Sequence, residues 1–172
     1  TSAGLFGTVR EPPLDLRQNA VTGIMRFTPD PELYPFQSRW LTLSGGTVIH
    51  YLDEGDGPVL LLLHGNPAWS FLYRRIIPRL SRNFRCVAPD LPGFGLSIAA
   101  QDFDYTAREQ AEAIVEFIDH LDLRGAAVMM QDWGGPIGLW ATQVRPERID
   151  RLIIGNTWAW PFDRRGPRLF SA

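Results

Sequence analysis

An aspartate at a predicted turn is the residue of this sequence best suited to do chemistry. Asp132 lies in VMMQDWGGPIGLW, residues 128–140, where an apolar stretch ends and a helix that begins with glycine would start. A carboxylate there could act as a nucleophile without a base, since an ordinary aspartate titrates near ~3.9 and is ionised at neutral pH; a serine would need a base. The structural alternative is a helix cap, because an aspartate before a helix accepts backbone N–H bonds.

The residues on both sides of Asp132 fit a nucleophile elbow, a sharp turn that lifts a nucleophile above the end of a sheet. GAAVMM before it predicts a strand, and GGPIGLWATQVRP after it predicts a helix with Pro136 in its first turn. Gly134 suits a place where strand and helix backbones pass closely, whereas Met130 is larger than the glycine usual at its position. Alone, this turn favours the helix cap; further motifs favour the nucleophile.

Two of these motifs follow predicted strands. LLLLHGNPAWSFLYR contains a His-Gly-X-Pro turn directly after a buried strand. In a sheet with a nucleophile elbow, the backbone N–H of X, here Asn66, and that of the residue after the nucleophile, here Trp133, form the oxyanion hole. PDLPGFGLS lacks the third glycine and the following helix of a dinucleotide-binding fingerprint. It fits instead as a loop after the next strand.

The hydrophobic pattern predicts strands that alternate with helices, and therefore a mostly parallel α/β sheet. Gly45-Gly46 is a plausible hairpin turn between the first two strands. The predicted strands are RWLTLS, TVIHYLDEG, PVLLLLH, FRCVAPD, GAAVMM and IDRLIIGN, and the predicted helices are WSFLYRRIIPRL, TAREQAEAIVEFIDHLDL and GGPIGLWATQVRP. PVLLLLH is continuously apolar, which is typical of a strand buried on both faces.

The amino-acid composition is that of an ordinary globular protein, and it argues against nucleic acid and membrane as partners. The chain has 172 residues, 45% hydrophobic and 21% charged, with a formal net charge of -2. That balance argues against a nucleic-acid partner, and no apolar run approaches the ~20 residues that cross a bilayer. The first residues predict no secretory signal, so a cytoplasmic location is expected. The single cysteine, Cys86, is expected to be a buried, inert thiol.

Residues from about 27 to 160 resemble the first half of a haloalkane dehalogenase of the α/β-hydrolase superfamily, on the motifs HGNP and DWGG in this order. FTPDPELYPFQSRW and GNTWAWP further resemble one subfamily. The resemblance implies that Asp132 displaces halide from an sp³ carbon and that Asn66 and Trp133 hold the departing halide. It also implies a small halogenated hydrocarbon, water and a halide ion as ligands, and no cofactor or metal.

The same resemblance implies groups that this sequence does not contain. The family's catalytic base is a histidine in a late loop, whereas His50, His64 and His120 all fall in early elements. The supporting acid follows the strand after the elbow helix in some members, but Asn156 stands there, and Asp163 is a poor candidate. We therefore expect an N-terminal extension or lead-in over 1–35, the first part of the α/β-hydrolase core over 36–156 and the start of a cap excursion over 157–172. We also expect the chain to be the N-terminal portion of an enzyme and to be inactive alone.

Two alternatives to a dehalogenase remain open at the level of sequence. An epoxide hydrolase shares the fold, an elbow aspartate and often the following tryptophan, but its His-Gly-X-Pro usually has an aromatic residue at X. Asn66 favours the dehalogenase. The other alternative is a non-catalytic α/β-hydrolase remnant retained for binding or assembly, for which the sequence indicates no specific partner.

Overall fold

A six-stranded, mostly parallel sheet forms the centre of the computed structural model, which describes residues 27–159. Its elements are β1 (Arg39–Thr42), β2 (Val48–Glu54), β3 (Val59–Leu63), α1 (Ile77–Leu80), β4 (Arg85–Pro89), α2 (Ala107–His120), β5 (Ala126–Met130), α3 (Gly134–Val144) and β6 (Ile149–Ile154). The strand order is β1-β2-β4-β3-β5-β6. The pairs β3–β4, β3–β5 and β5–β6 are parallel, while β1–β2 and β2–β4 are antiparallel. This is the predicted α/β architecture.

Strand β3 shows why a continuous apolar run was needed at the centre of the sheet. Leu61 and Leu63 belong to the apolar cluster under α2 and α3, whereas Leu60 and Leu62 belong to a second cluster that includes Ile77 of α1. Successive side chains of a strand point to opposite faces, so a strand covered on both faces must be apolar at every position. The prediction from PVLLLLH is confirmed.

The hairpin and the two long helices also match the predicted elements. β1 pairs with β2 through the register Trp40↔His50, and the connecting Gly46 has a positive φ of 85°. Helix α2 buries its apolar face and begins after Thr106, whose side chain accepts a hydrogen bond from the Glu109 N–H. Arg145 after α3 binds Asp119 of α2 with two nitrogen atoms at 2.7–3.0 Å, which ties the two helices together.

The helix predicted over WSFLYRRIIPRL was wrong in its extent. The structure has a 3₁₀ helix over Ser70–Tyr73 and then the single-turn helix α1. Pro78 lies in the first turn of α1. A proline has no N–H to donate, and its ring excludes the carbonyl four residues before it, so one helix cannot run through this position. The break leaves Tyr73 and Ile77 buried on the sheet.

The segment before β1 is anchored to the core by Tyr34, which is 4% exposed. Its hydroxyl lies 2.6 Å from Ser70 Oγ, and its ring packs on Trp69 at 5.1 Å between centroids. Most of the predicted lead-in (1–35) and of the predicted cap excursion (157–172) lies outside the described residues. In the part of the chain that is described, no helix has the length and apolar character needed to cross a membrane.

Candidate active site

The turn between β5 and α3 holds Asp132 in a left-handed backbone conformation with φ of 50°. Residues other than glycine seldom adopt this region, and such residues occur often at functional sites. Two contacts from the chain after β6 hold the turn: the Asp132 N–H donates to the Asn156 carbonyl at 3.1 Å, and Thr157 Oγ1 donates to the Asp132 carbonyl at 2.6 Å. The sharp turn between strand and helix that the sequence predicts at Asp132 is present.

Glycine is required beside this turn because backbones approach closely there. A methyl group on Gly134 would overlap with the carbonyl oxygen atoms of Leu63 and His64, at the end of β3. Met130, which is larger than the residue usual at its position, is fully buried, and the absence of a side chain at Gly138 leaves room for it. The larger residue is therefore accommodated by a glycine of α3.

The carboxylate of Asp132 does not cap α3. The N-cap of that helix is Trp133, and its side chain makes no capping hydrogen bond to the first turn. Instead, Asp132 Oδ1 accepts a hydrogen bond from the backbone N–H of Asn66 at 2.8 Å. The helix-cap alternative is wrong, and the two predicted motifs, His-Gly-Asn-Pro and Asp-Trp-Gly-Gly, meet at this hydrogen bond.

His64 fixes the His-Gly turn and has no free ring nitrogen. Its Nδ1 lies 2.8 Å from the Gly65 carbonyl, and its Nε2 lies 2.9 Å from the Leu91 N–H. Because the Leu91 N–H can only donate, Nε2 accepts and the proton is on Nδ1, which is the neutral form. Burial lowers the pKa of His64 below its usual value. This histidine holds β3 to the loop after β4.

A cavity of about 260 Å³ lies next to the elbow, and both Asn66 and Trp133 line it. The Trp133 side chain is 39% exposed and its ring meets Trp158 edge to face, with centroids 5.1 Å apart. The remaining lining residues are Leu91, Phe94, Tyr105, Ala107, Gln110 and Ile137. Thus the structure brings the two predicted halide donors to one cavity beside the predicted nucleophile.

The lining residues at and just before the start of α2 were not predicted from the sequence. No motif marks Tyr105, Ala107 or Gln110 as part of a site. Gln110 lies on the buried face of α2 with Ala113 and Phe117. A polar side chain on such a face requires hydrogen-bond partners, which is unusual enough to mark the residue. That spacing could have indicated Gln110, but not the cavity that it borders.

A family model described as alpha/beta hydrolase fold matches residues 58–166. The chain belongs to the alpha/beta hydrolase family. Haloalkane dehalogenase 2 of Mycobacterium tuberculosis (strain ATCC 25618 / H37Rv) is 54% identical to it over 145 residues, which is 84% of this chain and 50% of that protein. The chain spans about half the length of the curated relatives it matches.

Solved structures of other alpha/beta hydrolases share this fold. The haloalkane dehalogenase DpaA from Paraglaciecola agarilytica NO2 matches with a TM-score of 0.67 and 34% identity, over 78% of this chain and 50% of that chain. The epoxide hydrolase CorEH matches with a TM-score of 0.67 and 29% identity, over 72% of this chain and 43% of that chain. Both classes weighed from the sequence are therefore structural neighbours of this alpha/beta hydrolase.

The other two histidines of this alpha/beta hydrolase lie away from Asp132. Both ring nitrogens of His50 are bonded, Nδ1 to Asp90 Oδ2 at 2.8 Å and Nε2 to Ser38 Oγ at 2.9 Å. His120 is exposed at the end of α2, and its Nδ1 lies 3.0 Å from the Glu116 carbonyl. Both ring nitrogens of His64 are hydrogen-bonded as well. None of the three histidines in the sequence contacts the carboxylate of Asp132.

Outside the elbow, the sequence also makes predictions about the metal-ligating side chains and the cysteine. Over residues 27–159, no group of three or more histidine, cysteine, aspartate or glutamate side chains could hold a metal ion. Cys86 is buried in β4, and burial raises the pKa of its thiol to about 11. The prediction of a buried thiol is confirmed. Asn156, at the position considered for an acid, presents its carbonyl to the elbow, and Asp163 lies beyond the described part of the chain.

Proposed function

We propose that this protein hydrolyses haloalkanes to an alcohol and a halide ion, with Asp132 as the nucleophile. The observation that carries the proposal is the arrangement at the elbow. The backbone N–H of Asn66 bonds to the Asp132 carboxylate, and Asn66 and Trp133 both line one cavity next to it. The similarity to haloalkane dehalogenase 2 adds support for the substrate class.

In the first step, a carboxylate oxygen of Asp132 forms a bond to the carbon that bears the halogen, and the halide leaves with the bonding electron pair. No proton moves in this step, so no base is needed. The leaving anion accepts hydrogen bonds, and Asn66 and Trp133, which line the same cavity, both carry side-chain N–H groups that could donate them. By analogy with oxyanion-hole donors, each contributes about 2.7–4 kcal/mol to the step.

In the second step, water attacks the carbonyl carbon of the Asp132 ester, the alcohol leaves, and the carboxylate is regenerated. The charge that develops on the carbonyl oxygen is held by the backbone N–H groups of Asn66 and Trp133. The hydrogen bond from Asn66 N–H to Asp132 Oδ1 supports this role for Asn66. Water also needs a base within hydrogen-bond reach, and we assign that role to none of the three histidines of this chain.

The experiment that tests the proposal compares two substrate classes on the full-length protein. Halide release from 1-bromobutane is measured beside diol formation from 1,2-epoxybutane, with Asp132→Ala as the inactive control. We expect halide release from the bromoalkane, lost in Asp132→Ala, and little diol. Diol formation without halide release would favour the epoxide hydrolase, and neither activity on a broad substrate panel would favour a non-catalytic domain.

A further inference from the structure

Asp90 is a fully buried carboxylate directly after β4, and the proposed reaction does not use it. Its Oδ1 accepts from the Ser70 N–H at 2.7 Å, and its Oδ2 accepts from the Leu96 N–H at 2.9 Å. Oδ2 also lies 2.8 Å from His50 Nδ1, which carries a proton because an ionised carboxylate can only accept. Three N–H donors, from β2, from the 3₁₀ helix and from the loop after β4, therefore meet at one carboxylate.

The contacts of Asp90 and of its neighbour Leu91 lie on both sides of Asn66 in the sequence. Before Asn66, Nε2 of His64 accepts from the Leu91 N–H at 2.9 Å. After Asn66, the Ser70 N–H donates to Asp90. The turn that carries Asn66 is thus held at both of its ends by two successive residues of the loop after β4.

Close packing joins the same two segments of the chain. Gly95, in the loop after β4, has a positive φ of 52°. A methyl group on Gly95 would overlap with Asp90 Oδ2 and with Cβ of Trp69, which lies between Asn66 and the 3₁₀ helix. Because the loop and this segment are in direct contact, a displacement of one is passed to the other.

Asn66 is the residue at which such a displacement would be felt, since its N–H bonds to Asp132 Oδ1 at 2.8 Å. We propose that Asp90 is a positioning residue, whose carboxylate fixes the Asn66 N–H against Asp132 and thereby orients the nucleophile. His50 in turn holds Asp90 from β2. The effect on turnover rests on the proposed function, whereas the placement of the Asn66 N–H does not.

An amide cannot replace the Asp90 carboxylate without the loss of a hydrogen bond. Both carboxylate oxygens accept from a backbone N–H, whereas an asparagine side chain has one acceptor oxygen and one NH₂ group. In either orientation the NH₂ group faces a backbone N–H, that of Ser70 or that of Leu96, donor against donor. Asp90→Asn therefore keeps the size of the side chain and releases one of the segments that it holds.

The first test measures the hydrogen bond between Asn66 and Asp132 without substrate, by NMR of the full-length protein. The backbone amide proton of Asn66 lies downfield when it donates to a carboxylate, and Asp132→Ala gives its position without the acceptor. We expect Asp90→Asn to shift this signal upfield, towards its position in Asp132→Ala. Asp53→Asn, which breaks the ion pair of Asp53 with Arg85, should leave the signal unchanged. An unchanged Asn66 signal in Asp90→Asn would overturn the inference.

His50 provides a second comparison, in which Asp90 itself is kept. An asparagine at position 50 can place an amide N–H near the position of His50 Nδ1, whereas a leucine cannot donate. We expect the Asn66 signal to stay near its wild-type position in His50→Asn and to shift upfield in His50→Leu. If Asp90→Asn does not fold, this pair decides the inference, and the same Asn66 signal in both His50 variants would overturn it.

The third test extends the inference to turnover of 1-bromobutane by the full-length protein. In the burst of bromide release, the amplitude reports the amount of folded enzyme, and the rate constant reports how well the Asp132 carboxylate is oriented. We expect Asp90→Asn to lower the rate constant by roughly 10²-fold and Asp53→Asn to leave it unchanged. A reduced amplitude with a wild-type rate constant would mean that Asp90 supports only stability, and would overturn the inference. If the wild type released no bromide, the proposed function would fail, and the NMR comparison would still decide the role of Asp90.

Discussion

Asn66 has two proposed roles in one site, one for its backbone N–H and one for its side-chain N–H, which makes it the most informative single residue of this protein. Its backbone N–H bonds to the Asp132 carboxylate, and the residue lines the cavity together with Trp133. A side-chain substitution leaves the backbone N–H in place. The proposed halide-binding role and the proposed oxyanion role of this residue are therefore separable by mutation.

We expect Asn66→Leu in the full-length protein to fold and to lose roughly 10²–10³-fold in the rate of halide displacement, because one donor to the leaving anion is removed. Trp133→Phe should have an effect of similar size. The measurement is the pre-steady-state burst of bromide release, together with the affinity for bromide. Asn83→Leu is the matched control, at an exposed asparagine remote from the elbow. Unchanged bromide affinity in both Asn66→Leu and Trp133→Phe would refute the halide site.

The elements that position the site were largely predictable, because each is encoded locally. The apolar run of β3, the Gly45-Gly46 turn and the amphipathic pattern of α2 each follow from residues within the element itself. The extent of the helix before β4 was not predictable in this way, because the hydrophobic pattern suggested one helix and Pro78 divides it. The cavity wall from α2 was not predictable either, because it depends on where α2 lies against the loop after β4 and not on any motif.

Thr106 sets where α2 begins and hence where Tyr105 and Gln110 meet the cavity. Its Oγ1 accepts from the Glu109 N–H at 3.2 Å, and Glu109 Oε2 accepts from the Asp104 N–H at 2.6 Å. Replacement by alanine removes the side-chain oxygen that caps the first turn of α2. We expect Thr106→Ala to lower the free energy of unfolding by about 1 kcal/mol in urea titrations. Thr142→Ala, within α3, should change it far less; equal losses would show that the cap contributes nothing specific.

The His64 contacts make the link between β3 and the loop after β4 sensitive to pH. Burial lowers the pKa of His64 in the folded state, whereas an unfolded histidine titrates near ~6.5. Between the folded and the unfolded pKa, the unfolded chain therefore binds more protons than the folded one. The contribution of neutral His64 to the free energy of unfolding is present above the unfolded pKa and is lost as the pH falls towards the folded pKa. Protonated Nε2 would also face the Leu91 N–H, donor against donor.

We expect the free energy of unfolding of the full-length protein to decrease from pH 7 to pH 5 by more in the wild type than in His64→Gln. Urea titrations at several pH values measure the difference, and His120→Gln, which changes an exposed histidine, should keep the wild-type slope. A wild-type slope that His64→Gln leaves unaltered would mean that His64 is not the group responsible.

At the scale of the whole molecule, the described sheet ends at a strand with apolar residues in solvent. Leu152, Ile153 and Ile154 of β6 are 40%, 47% and 56% exposed, and the chain spans about half the length of the curated relatives it matches. Exposed apolar surface of this kind favours association. His50 and His64 are hydrogen-bonded through both ring nitrogens and His120 is exposed at the end of α2, so none of them contacts Asp132.

We therefore expect the purified 172-residue chain not to turn over. Bromide release against a large excess of 1-bromobutane should not exceed one ion per chain, because an ester formed on Asp132 would not be hydrolysed. The full-length protein, assayed in parallel, is the control. Release of many bromide ions per chain would show that a base exists within these residues and that the histidine assignments are wrong.

The central claim is that the Asp132 carboxylate itself becomes esterified, and isotope transfer tests it most directly. The full-length protein is allowed many turnovers of 1-bromobutane in water enriched in heavy oxygen, and the peptide that contains Asp132 is then analysed by mass spectrometry. If water attacks the ester carbonyl, heavy oxygen accumulates in the Asp132 carboxylate, while the peptides that carry Asp119 or Asp90 stay unlabelled. Heavy oxygen found only in the butan-1-ol, with an unlabelled Asp132, would mean that water displaces the halide directly and would contradict the account.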